Sequence, residues 1–194
     1  MLFRSLKPAP TPTPTPTLGT KSLASILTGM RGFDKNSSNY NILTAAVLAV
    51  LKAKPNSPVK VLTDGSVPLT AFIPNDGAFK KLVKALTGKM QTNEHHAFKA
   101  VAGLGIATVE KVLLFHVVPG ATIVSADALK ANGASLKTAL TGKAIKVRVN
   151  GTTIRLGDYN RKLADPKVIL SQVDINKGNL QVAHGIDGVL LPMA

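Results

Sequence analysis

The sequence predicts an α+β fold, a β-sandwich or wedge with a layer of helices packed on it. Three features point that way. Apolar residues recur at helical spacing through much of the first two-thirds of the chain. Alternating strands dominate from about residue 140 onward, an order that suits helices segregated to one side of a sheet. At 194 residues, 45% hydrophobic and 18% charged, the chain has the length of one domain and the composition of a globular one.

Residues 1–20 read as an extended Pro/Thr-rich linker and 21–194 as the domain. Pro8, Pro10, Pro12, Pro14 and Pro16 alternate with Ala or Thr. Proline fixes φ and disfavours helix in its predecessor, so the stretch should be a polyproline-II spacer of about 3 Å per residue. Leu23, Ile26 and Leu27 predict a short helix ending near Gly29, and Asn41–Leu51 a buried helix stopped by Pro55. Val59–Leu62 and Leu69–Ile73 read as strands. Asn75 or Asp76 caps the next helix, whose Phe79, Leu82, Val83 and Leu86 fall at i, i+3, i+4 and i+7. Lys80, Lys81 and Lys84 read as its solvated face, and Gly88 ends it. Thr108 is the expected cap of a helix carrying Val109, Val112, Leu113 and His116, before Pro119-Gly120 breaks the chain. Ser125 starts a helical turn through Leu129.

Ala144–Val149 alternates, and Asn150-Gly151 signals a two-residue hairpin loop. That register sets Val147 opposite Ile154 and Ile145 opposite Leu156 on one face. Lys146 then lies opposite Arg155 on the other, flanked by Arg148. Val168–Ile175 and Leu180–His184 are expected as a further strand pair around Lys177-Gly178.

Composition narrows the function classes. There is no cysteine, which excludes disulfide scaffolds, thiolate metal sites and cysteine nucleophiles. Six Phe, two Tyr and no Trp argue against stacking platforms for single-stranded nucleic acid, and no specific nucleic acid is expected. Lys and Arg number 24 against 10 acids, a net charge of +14. Such a field attracts polyanions, and equally serves solubility. The longest apolar run, Ile42–Leu51, is about half the ~20 residues a membrane-spanning helix needs. Met1–Arg4 begins no apolar stretch of the kind a secretory signal needs.

Three stretches together resemble the fasciclin domain. Leu69–Phe79 reads Leu-Thr-Ala-Phe-Ile-Pro-Asn-Asp-Gly-Ala-Phe, a strand running through Pro74 into a helix capped near Asp76. Leu113–Gly120 reads Leu-Leu-Phe-His-Val-Val-Pro-Gly, like the family's central Tyr-His motif and its exit at Pro119. Val182–Pro192 reads Val-Ala-His-Gly-Ile-Asp-Gly-Val-Leu-Leu-Pro, like the closing motif with His184, Asp187 and Pro192. The likeness covers about residues 21–194 and is nearest in wording to bacterial members. It implies a sandwich or wedge with a helical layer, and a non-catalytic adhesion or binding module that is extracellular, on the cell surface or periplasmic. Matrix or anionic polysaccharide is the implied partner; a carrier role for an apolar ligand such as a carotenoid is the alternative it suggests. The family often has Tyr where this chain has Phe115, so contacts through that hydroxyl are not carried over.

Candidate sites divide the same way. His116 and His184 read as imidazoles bonded to backbone groups. Glu94-His95-His96 has no i, i+4 metal spacing and reads as a solvated loop or helix start. No Gly-x-Ser-x-Gly elbow is present, and Ser125 fits a cap. Asp64, Asp76, Asp158 and Asp187 fit turn chemistry. Gly103-Leu104-Gly105 lacks the rest of a phosphate loop. No catalytic residue, metal or cofactor is expected. Asn36-Ser37-Ser38 and Asn150-Gly151-Thr152 match glycosylation sequons, to which no function is attached.

The informative feature is the hairpin's basic face. Like charges directly opposite destabilise a sheet, and a bound anion would relieve the clash expected between Lys146 and Arg155. Lys143, Arg148, Arg161 and Lys162 extend the candidate patch, with Lys80, Lys81 and Lys84 as a second one. A solvated edge kept basic against aggregation has the same appearance.

Overall fold

Residues 17–29 and 32–193 are described by a computed structural model, so the Pro8–Pro16 spacer lies outside the described residues. Helix α1 (Leu23–Thr28) starts where the Ser22 hydroxyl accepts the Ser25 N–H, and α2 (Asn41–Ala53) buries Ile42, Leu43, Ala46, Val47 and Val50. Strand β1 (Leu69–Pro74) runs into α3 (Asp76–Thr87). Asn75 caps that helix by accepting the Ala78 N–H, and Gly88 closes it at φ +72°, a left-handed stop open to glycine. Helices α4 (Glu94–Ala102) and α5 (Ile106–Phe115) follow, then β2 (Val117–Pro119) and α6 (Ser125–Ala128). Strands β3 (Ser135–Lys137), β4 (Ala144–Asn150), β5 (Thr153–Gly157) and β6 (Gln181–Ile186) complete the fold.

The strands form two sheets, in orders β2-β1-β6 and β3-β4-β5. β1 pairs antiparallel with β2 and parallel with β6. Both β1 and β6 are buried along their whole length, as strands covered on two faces must be. Alternation along β1 sends Ala71 and Ile73 into the core made with α2, α3 and α5, while Phe72 points the other way. There Phe72, Phe115, Val118 and Ile186 meet Ile145, Val147, Ile154 and Leu156 of the second sheet. The layers are therefore helices, first sheet, second sheet, with an apolar core at each junction.

Four expectations are corrected. Val59–Leu62 is not a strand but part of a 3-10 helix, Pro58–Thr63, whose start is set by Ser57 accepting the Val59 N–H. Ser followed by Pro is a cap with proline at the first helical position, and Val59 and Leu62, three apart, share its buried face. The fifth helix starts at Gly105 (φ +88°), which places Thr108 within its first turn instead of at the cap. Val168–Ile175 does not pair continuously: Val168 bridges Ile186 and Ile175 bridges Ala183, with a 3-10 turn at Leu170–Gln172 between. Gln172 leaves the sheet there, donating from Nε2 to the Ser38 carbonyl.

The hairpin register is the correction with consequences. Asn150 pairs with Thr153, so the loop is Gly151-Thr152, with Gly151 at φ +59° as a first central glycine in a II′ turn requires. Arg148, and not Lys146, lies opposite Arg155, and Lys146 lies opposite Gly157. Moving the loop by one residue keeps Ile145, Val147, Ile154 and Leu156 inward, so burial alone does not distinguish the two registers. The observed one lays the Arg148 guanidinium over Gly157, where a Cβ would lie 3.3 Å from Nη1.

Candidate anion-binding surface

The motif residues bind the chain's distant segments to one another. Pro74 pairs with Ile186, and Pro119 with Leu69. The Asp76 carboxylate is fully buried and accepts the N–H groups of Asn41 (3.1 Å) and Ile42 (2.8 Å), so it serves the start of α2 and not of its own helix. Burial pushes its pKa up to about 7, Glu94 adding to the shift and the two N–H bonds opposing it. His116 is buried at the end of α5. Its Nδ1 donates to the Val112 carbonyl (2.7 Å) and its Nε2 accepts the Leu190 N–H (3.0 Å), which defines a neutral tautomer. Burial pushes its pKa down to about 4. His184 donates from Nε2 to the Ile123 carbonyl (2.8 Å) and accepts the Asp174 N–H at Nδ1 (3.3 Å); burial lowers its pKa too. Both rings spend both nitrogens on the backbone. Phe79 and Phe115 are core residues, and the Phe115 ring lies 5.8 Å from that of Tyr159. Pro192 is buried beside the helices.

Glu94 and Lys80 are not solvated. Glu94 is buried and accepts from the Asp34 N–H (2.8 Å), from Asn41 Nδ2 (3.3 Å) and from Lys80 Nζ (3.4 Å). Lys80 also donates to Ser37 Oγ (2.9 Å). An ammonium facing a buried carboxylate explains why this lysine turns inward while Lys81 and Lys84 stay exposed. His95 and His96 are exposed, and among the described residues no group of three or more His, Asp or Glu could hold a metal ion.

The remaining basic candidates do not share one place, and Lys162 lines an apolar cavity among the helices. Arg148 and Arg155 stand side by side on the outward face of the second sheet, and Lys167 continues their row through a bridge to Arg155. Lys146 and Lys137 occupy the same face, nearer β3. Asp165 makes an ion pair with Arg148. Beside Arg155 a cavity of about 400 Å³ opens against α3, and Lys81, Arg155, Lys167, Asp165 and Asp187 all line it. Lys81 donates to the Asp187 carbonyl (3.0 Å), while Asp187 Oδ1 accepts the Lys167 N–H (2.7 Å). One helix candidate and one hairpin candidate thus meet in a single cavity. Lys84 does not line it. Lys143 lies elsewhere, over the Tyr159 ring at 4.0 Å, in a recess shared with Arg161.

Sequence reasoning missed Lys167 and Asp165. The Leu156 N–H donates to the Pro166 carbonyl and the Val168 N–H to Ile154, which adds this segment to the edge of β5. A proline between the two charged residues hid a short segment that bridges β5 on one side and the end of β6 on the other.

A second cavity of about 310 Å³ is apolar. It lies among α2, α3, α4, α5 and the Leu191–Met193 segment, and Leu86 (56%), Leu104 (41%) and Met193 (50%) are exposed at it.

The layers and their joints define the class first: this is the fold of a FAS1 domain. The structure of a FAS1 domain pair from the insect cell adhesion molecule fasciclin I is similar with a TM-score of 0.59 at 16% sequence identity. The match covers 89% of this chain and 51% of that one, so the chain spans about half the length of the pair. No curated protein sequence matches significantly. The sequence profile of the fasciclin domain matches residues 41–192, and the chain belongs to that family.

Proposed function

We propose that this chain is a non-catalytic adhesion module, extracellular, on the cell surface or periplasmic, that holds an acidic polysaccharide or matrix polymer. Membership of the fasciclin family and the fold it shares with a domain pair of an insect adhesion molecule support the adhesion part. The polyanion part rests on one observation: Arg148, Arg155 and Lys167 stand in a row on one sheet face, and the guanidinium of Arg155 and the ammonium of Lys167 have no carboxylate within 4.0 Å among the described residues. Uncompensated cations in a row attract a chain of negative charges and repel one another without it. No helix of the described residues is long and apolar enough to cross a membrane. The experiment is retention on immobilised heparin and polyuronate across a salt gradient. Arg155→Glu with Lys167→Glu should elute at clearly lower salt than the wild type, and Lys84→Glu should shift little. Equal shifts from both would assign retention to net charge and remove the site.

The apolar cavity supports a second reading, a carrier of an elongated apolar ligand such as a carotenoid. About 310 Å³ is at the low end for ligand pockets, so part of such a molecule would lie across exposed Leu86 and Leu104. Incubation with a carotenoid followed by gel filtration tests it. A co-eluting, shifted visible band that survives added salt supports the carrier, and its absence ends that reading.

A further inference from the structure

The cavity beside the basic row differs from the open face in charge balance. Three cations line it, Lys81, Arg155 and Lys167, together with two acids, Asp165 and Asp187. Both acids have other partners: Asp165 is paired with Arg148, and Asp187 Oδ1 takes the Lys167 N–H. Among the described residues neither the Arg155 guanidinium nor the ammoniums of Lys81 and Lys167 have a carboxylate partner, in a space whose lining sums to a single positive charge. Ala78, Leu82, Leu163 and Val189 give the same space an apolar wall.

We propose that this cavity receives one singly charged carboxylate, that of an acidic sugar of the uronic-acid type, with a carbon face of the ring against Leu82 and Val189. The proposal rests on the polyanion reading above and adds selectivity to it. Attraction to a site of fixed charge grows in proportion to the ligand's charge, whereas the cost of stripping its water grows as the square. In a recess of about 400 Å³ with a small net positive charge, a monoanion is therefore favoured over a dianionic phosphate, whose second charge meets Asp165 and Asp187. The planar fork of Arg155 matches both carboxylate oxygens at once, which a lysine ammonium cannot do. On the open face Lys146 has no carboxylate within 4.0 Å among the described residues and lines none of the cavities described above, so that choice is not imposed there.

The test compares galacturonate oligomers, polyphosphate and dextran sulfate by calorimetric titration at one low salt concentration. The wild type should bind the uronate as tightly as or tighter than the more densely charged polymers. Arg155→Lys, which keeps the charge and the fold but loses the fork, should lose about tenfold or more for uronate while changing little for polyphosphate. Lys146→Gln should weaken all three alike. Asp165→Asn, which removes a negative charge from the rim, should shift the preference towards polyphosphate. A wild-type ranking by charge density alone, with Arg155→Lys silent, overturns the cavity and leaves the open face standing. Binding of none of the three polymers overturns both.

Discussion

Two buried titratable side chains pull stability in opposite directions as pH changes. The folded His116 has its pKa lowered to about 4 from 6.5. The unfolded chain therefore takes up a proton below pH 6.5 that the folded chain refuses, and the stability this ring contributes is lost as pH falls from about 6.5 to about 4. Asp76 is raised to about 7 from 3.8. Its folded carboxyl keeps a proton that the unfolded chain releases, so its contribution is lost as pH rises from about 4 to about 7. Each slope is about 1.4 kcal/mol per pH unit for one proton, and they oppose over the shared window. His184 is lowered and Asp158 raised, both by burial, which repeats the opposition. Urea midpoints of the wild type should thus stay nearly level between pH 4.5 and 6. Asp76→Asn should lose stability as pH falls across that window, and His116→Gln should lose it as pH rises. A level profile in both variants would mean that neither group titrates as its burial requires.

The hairpin is where element-level reasoning both succeeded and failed. The alternation of Ile145, Val147, Ile154 and Leu156 identifies the inward face correctly, because strand side chains repeat every two residues. It does not fix which outward residues meet, since a loop moved by one position preserves that face. Asn150-Gly151 favours a I′ loop by composition, but the pairing adopts Gly151-Thr152. In consequence Arg155, between Arg148 and Lys167, carries the like-charge repulsion, while Lys146 faces only Ser135 and Gly157. Arg155→Glu should therefore raise stability by about 0.2–1 kcal/mol through cross-strand pairing, while it weakens polyanion retention. Lys146→Glu should leave stability within about 0.5 kcal/mol of the wild type. Thermal melts at low salt read both, and a stabilising Lys146→Glu with a neutral Arg155→Glu would favour the other register.

Across the molecule, a net charge of +14 makes ionic strength the strongest external variable. Screening shortens from about 10 Å at 0.1 M salt to about 3 Å at 1 M. Retention that depends on the spread charge should fade steadily over that range. Uronate held by direct hydrogen bonds in the Arg155 cavity should keep more of its affinity, because contact pairs in a recess are screened less than exposed ones. Titrations at 0.05, 0.15 and 0.5 M salt should show uronate losing affinity less steeply than polyphosphate. Parallel losses would assign both to the open face.

Local rules of the chain were enough for the helix cap at Asn75, the apolar stripe of Phe79, Leu82 and Val83, the glycine stop at Gly88 and the strand Leu69–Ile73. Each depends on neighbours within a turn or two, so their spacing is visible in one dimension. The motifs around Phe79, His116 and Ile186 also implied the family before any contact was known. What sequence could not reveal was which charges find partners across the fold, and which of those pairs are buried. Lys80 turns to Glu94 across 14 positions, Arg148 finds Asp165 across 17, and Lys81 reaches Asp187 across 106. Burial and pairing of a charge are set by residues brought near only when the layers close, and that closure alone made one cavity from Lys81, Arg155 and Lys167.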